Sequence, residues 1–148
     1  NSSIIGDVIF GDNCSVWFSS VIRGDVNKIR IGNNVNIQDG TVVHGTYQKS
    51  STIIGNNVSI GHNAIIHGCE LKSNVLIGMG SIIMDDSIIK SNSIIAAGSV
   101  LIQKTITEEN SIYAGIPAKK IKDISEELIT NEIERIAKNY KKYSGWYK

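Results

Sequence analysis

The chain has little cysteine, little proline and no surplus of either charge. Cys14 and Cys69 are its only cysteines, they form no CxxC pair, and a thiolate zinc site would need more ligands. Both are expected to pack as small apolar groups in a reducing compartment, so the cytoplasm is the expected location. With 15 basic and 14 acidic side chains the formal charge is +1, which gives no support for a nucleic-acid partner. No stretch reads as a signal peptide or a membrane span, and no membrane partner is expected. The chain starts at Asn1, which leaves open whether residues precede it. Lys138, Lys141, Lys142 and Lys148 gather near the end and read as a solvated helix face. The 148 residues fit one domain.

What is abundant is a repeat. Aliphatic residues recur every sixth position: Phe10, Val16, Ile22; Ile31, Ile37, Val43; Ile54, Ile60, Ile66; then Leu71, Ile77, Ile83, Ile89, Ile95 and Leu101. Small or β-branched residues often follow four places later, as at Thr41, Val58, Ala64 and Ser81. A helix repeats near 3.6 and a strand near two, so neither explains a period of six. A short strand followed by a turn does. Three such units make one triangular coil with the large aliphatics inward, and the coils stack as parallel strands about 4.8 Å apart. Glycine, asparagine and aspartate fill the corners. The run is interrupted by loops expected at Asp25–Arg30 and Gly45–Ser51, and by a five-residue step from Ile66 to Leu71. The solenoid should span about residues 4–105, followed by an extended exit segment over 106–122 around Pro117. Asp123 and Glu126 have capping-box spacing. Ile129, Ile133, Ile136 and Tyr140 then give one apolar stripe, which predicts a helix near 124–143 lying on a solenoid, with Trp146 and Tyr147 tucked into the same contact.

The only histidines are His44, His62 and His67. His44 follows inward Val43 and His67 follows inward Ile66, so both should point outward from one face of adjacent coils, about 5 Å apart. Such a pair suits two ligands of one ion. His62 falls on the preceding side of the coil and is not expected to reach its own chain's pair; a neighbouring prism in a closed ring of three would bring it there. The alternative is three unrelated histidines on a turn-rich surface.

Several segments together resemble the γ-class carbonic anhydrase family, a branch of the hexapeptide-repeat, left-handed β-helix proteins. They are Val21-Ile22-Arg23-Gly24-Asp25, Asn36-Ile37-Gln38-Asp39, His44, Ile60-Gly61-His62-Asn63-Ala64, Ile66-His67-Gly68 and Ala114-Gly115-Ile116-Pro117-Ala118. The resemblance implies an all-β left-handed solenoid with a C-terminal helix; standard crossover rules would favour the opposite hand. It implies a homotrimer whose seams each hold zinc, or iron or cobalt, one per subunit, on His44 and His67 of one chain and His62 of the next. Arg23, Asp25 and Asp39 match an ion-pair network between subunits. Gln38 matches a residue orienting the metal's water, Asn36 a polar group lining the same pocket, and Tyr140 an active-site tyrosine.

The implied activity is hydration of carbon dioxide to bicarbonate, in which a cation lowers the pKa of its water towards neutrality. Two features depart from the pattern. Val26 stands where well-characterised members carry glutamate, and Gly45–Ser51 has no carboxylate where they carry an acidic loop. Those acids are associated with proton export, so slow hydration is expected. Acyl transfer, or metal-dependent thioester hydrolysis, is the second enzyme reading. A non-catalytic, metal-bound trimeric scaffold is the third.

Overall fold

The computed structural model describes residues 1–147. Parallel strands stack on three faces of a left-handed β-solenoid of about six turns. The first face carries Ser15–Val16, Asn36–Ile37, Ser59–Ile60, Val75–Ile77, Ser93–Ile95 and Ser111–Gly115 in register. The second carries the start of Val21–Ile31, then Val42–His44, Ile65–His67, Ile82–Ile83 and Val100–Leu101. The third carries the end of Val21–Ile31, then Thr52–Ile54, Glu70–Leu71 and Ile88–Ile89.

The six-residue spacing becomes a core of aligned columns. Ile22, Val43, Ile66, Ile83 and Leu101 form one column. Ile37, Ile60, Ile77 and Ile95 form the next, and Ile31, Ile54, Leu71 and Ile89 the third. None of these side chains is more than 5% exposed, so their burial is the main cohesive term between coils. One corner is lined by Asn34, Asn57, Asn74, Asn92 and Asn110, with φ between 54° and 58°. Asparagine tolerates that left-handed backbone better than most residues. Each of these amides donates to the next at 3.0 Å, making a continuous ladder.

Several boundaries differ from expectation. Asp25–Arg30 is no loop: Val21–Ile31 is one long strand turning the corner, held by parallel pairing to Ser3–Phe10 and anchored by fully buried Ile29. The exit segment is not simply extended either. Ser111–Gly115 adds a further parallel strand to the stack, then Ala118–Asp123 folds back antiparallel on it across a cis Ile116–Pro117 bond. Because Asp123 ends that strand and pairs with Lys120 at 2.7 Å, the helix cap falls to Ser125, whose hydroxyl accepts from the Leu128 amide. The helix runs from Glu126 to Ser144 through a π-helical stretch at Ile129–Glu134. It lies on the first face with Ile133 fully buried. Lys138, Lys141 and Lys142 face solvent; Lys148 lies outside the described residues. Tyr147 packs edge-on against Trp17 and Phe18. Cys69 is buried, whereas Cys14 is only partly so and its thiol donates to the Gly32 carbonyl. Among the described residues no helix is long and apolar enough to cross a membrane.

Candidate metal centre

The pairing of Val43 with Ile66 puts His44 directly beside His67. Their ring centres are 5.2 Å apart, with His44 Nδ1 3.2 Å from His67 Nε2. The backbone beneath is fixed from both sides. The Gly68 amide donates to the His44 carbonyl at 3.0 Å, and the Thr52 hydroxyl donates to the same oxygen at 2.5 Å. Gly68 has a φ of 56°, and a Cβ there would meet Asp85 Oδ1 at 2.6 Å and Ser50 Cβ at 2.8 Å, so only glycine fits. Gly45–Ser51 is the expected loop, closed by a bridge between Thr46 and Ser50.

Each histidine meets a carboxylate in its own chain. His44 Nε2 lies 3.0 Å from Asp25, His62 Nδ1 2.9 Å from Asp39, and His67 Nδ1 2.5 Å from Asp85. At Asp25 and Asp85 desolvation raises the carboxyl pKa, but hydrogen bonds outweigh it and hold both below the usual range. The bonds come from Arg23 and His44 at Asp25, and from Thr46 and His67 at Asp85. An ionised carboxylate only accepts, so His44 Nε2 and His67 Nδ1 must carry the hydrogens. In neutral rings the two facing nitrogens are then both lone pairs.

Two lone pairs 3.2 Å apart repel unless positive charge offsets them, and the Arg23 guanidinium reaches only the His44 nitrogen, at a long 3.5 Å. Two tetrahedral zinc–nitrogen bonds would hold their nitrogens about 3.3–3.4 Å apart, so the pair fits a divalent metal. The carboxylates behind the rings also fit, since they fix which nitrogen is left to bind.

His62 is placed apart from this pair, as expected. It sits at the end of the first face, where Tyr140 from the C-terminal helix comes within 3.3 Å of its Nε2. Burial, reinforced by the charge of Asp39, raises the Tyr140 pKa, so the phenol stays protonated at neutral pH. Among the described residues of one chain, no three His, Cys, Asp or Glu side chains converge as a metal cage. Asn36 and Gln38 are both at most 5% exposed. Gln38 Nε2 donates to Asn36 Oδ1 at 3.0 Å, and Asn36 Nδ2 to Ser59 Oγ at 2.7 Å. A cleft of about 240 Å³ opens beside His62, lined by Trp17, Phe18, Asp39, His62, Tyr140 and Tyr143 among others.

The expected ion-pair set is divided within the chain. Arg23 and Asp25 meet at 2.5 Å against His44, whereas Asp39 serves His62. Sequence reasoning missed Asp85 altogether. The available signal was the consecutive pair Asp85-Asp86 at the corner of the coil after His67, where the preceding coils carry Gly45 and Gly68.

The chain is similar to known proteins over most of its length. The bacterial transferase hexapeptide (six repeats) family model matches residues 68–103. A carbonic anhydrase of Geobacillus kaustophilus is 42% identical over 146 residues, covering 99% of this chain and 79% of that protein. The mitochondrial gamma carbonic anhydrase 2 of Arabidopsis thaliana is 39% identical, covering 95% of this chain but 52% of that protein. Among solved structures, a hexapeptide transferase family protein from Anaplasma phagocytophilum superposes with a TM-score of 0.92 at 42% identity. That match covers 99% of this chain and 89% of the other.

Proposed function

Since the chain belongs to the γ-class carbonic anhydrase-like family of hexapeptide-repeat proteins, we propose that it is a metal-dependent hydratase interconverting carbon dioxide and bicarbonate. The observation that carries this reading is the stacking of His44 Nδ1 against His67 Nε2, 3.2 Å apart with carboxylates behind both rings. These two residues and His62 of a neighbouring copy would hold the cation, zinc or alternatively iron or cobalt, at each seam of a homotrimer. When bound, such a cation acidifies water and supplies a nucleophile at neutral pH.

The chain's own groups do the rest. Asn36, itself held by Ser59, takes the Gln38 amide hydrogen. The Gln38 carbonyl oxygen is thereby left to accept a hydrogen bond and orient the attacking group. The protonated Tyr140 phenol donates on the His62 side of the cleft. Arg23, Asp25 and Asp39 would bind the copies together while holding the rings. Proton export is the weak step, because Val26 and the loop over 45–51 offer no carboxylate.

Metal analysis combined with native mass measurement tests the ligand set, with one metal per chain in a trimer expected. Carbon dioxide hydration should be slow and should rise with added imidazole buffer. A metal-loaded protein giving only the uncatalysed rate over roughly pH 7–9, where such a site would be active, would remove the hydratase role.

A second reading, acyl transfer or thioester hydrolysis at the same centre, is favoured by the aromatic cleft beside His62. Carbon dioxide needs no such apolar wall, whereas an acyl chain would use it. Acyl-thioester cleavage assayed on the same preparation separates the two.

A further inference from the structure

The loop over 45–51 lacks acids, yet it is tied to His67. Asp85 stands in the coil after His67 and is 7% exposed. One of its oxygens lies 2.5 Å from His67 Nδ1, and the other accepts from the Thr46 hydroxyl, also at 2.5 Å. The next residue repeats the contact on the loop's other arm, where Ser50 donates to Asp86 at 2.6 Å. Asn27 adds a bond to the Thr46 carbonyl at 3.2 Å. The bridge between Thr46 and Ser50 joins the two arms, so consecutive aspartates grip a closed hairpin.

We propose that Asp85 is the positioning residue of His67 and that Thr46 locks it, with Ser50 holding the loop's other arm through Asp86, so that the loop acts on the site through a Thr46–Asp85–His67 chain. A carboxylate at Nδ1 keeps the hydrogen there and leaves the Nε2 lone pair towards His44. Without it the ring is free to rotate and to carry its hydrogen on Nε2, pointed at the nitrogen it should face as a second ligand.

The test begins on metal-free protein, so it is independent of the proposed function. Two-bond ¹⁵N–¹H correlation should show His67 as the Nδ1–H tautomer in the wild type and as Nε2–H in D85A. D85N keeps a carbonyl acceptor and should restore Nδ1–H. In competition titrations with cobalt(II), an arm that rests on the metal reading, D85A should lose about 10–100-fold in affinity. T46V should lose less and keep its tautomer. Nε2–H in the wild type would overturn the proposal, as would D85A with unchanged tautomer or with cobalt affinity within about twofold of wild type. Wild-type protein that takes up no cobalt would sink the metal reading alone, and the tautomer would then decide. Should D85A fail to fold, the wild-type tautomer decides alone: Nδ1–H supports the proposal and Nε2–H overturns it.

Discussion

Two corners of the solenoid stack polar side chains in the same way and reach opposite results. At the asparagine corner each amide donates to the next and accepts from the one before, so the column satisfies itself. At the histidine corner the donors are turned away to Asp25 and Asp85, and two acceptors are left facing each other. The first column is complete and holds coils together. The second is left with a weaker claim on its own chain: among the described residues only the Arg23 guanidinium approaches, 3.5 Å from His44 Nδ1. Stacking at a fixed spacing is therefore neutral with respect to purpose; the groups behind the column decide whether it becomes a seam or a site.

Substitutions that act on one corner and spare the other should separate these roles. The largest effect is expected from H67A or H62A: metal content should fall from about one per chain to near zero while the circular dichroism spectrum persists. Wild-type protein at a metal concentration about a thousandfold above Kd should gain about 4 kcal/mol that neither variant gains, measured by denaturation with and without metal. Retained metal in purified H62A would contradict the intersubunit ligand set. Next comes N74A at the middle of the ladder. It loses two hydrogen bonds, each about 0.5–1.5 kcal/mol, and places alanine at left-handed φ, about 1–2 kcal/mol. A loss of about 2–5 kcal/mol in urea unfolding with unchanged metal content is expected. N74G removes the strain and keeps only the missing bonds, so it should lose about 1–3 kcal/mol. Smallest is K138A on the exposed helix face, within about 0.5 kcal/mol of wild type and with the same metal content. If N74A also lost metal, the two corners would not be independent.

The columns were legible because a strict period of six has one simple solution, and inward Val43 and Ile66 carried His44 and His67 into register with them. Partners across coils were less so. Asp85 is 18 residues from His67, and the five-residue step at Gly68–Cys69 shifts the corner just where their meeting would have to be counted. Ile29 was missed because the insertion after Ile22 hides its phase, which pairing with Val8 on one side and Thr52 on the other restores. The helix cap moved from Asp123 to Ser125 for a related reason: the returning strand claims Asp123 first. His62 as a third ligand, with Asn36, Gln38 and Tyr140, came from motif likeness, while Asp85 behind His67 became visible only in three dimensions.

The reversal at residues 116–117 has a structural meaning of its own. Parallel coils offer a fresh edge at every level and carry no internal instruction to stop. By returning Ala118–Asp123 against Ser111–Gly115, the chain covers its last rung with a strand of the wrong direction to template another coil. Height and termination are thereby uncoupled: a whole winding added or deleted in the middle would change how tall the prism stands, and the same lid would still close it.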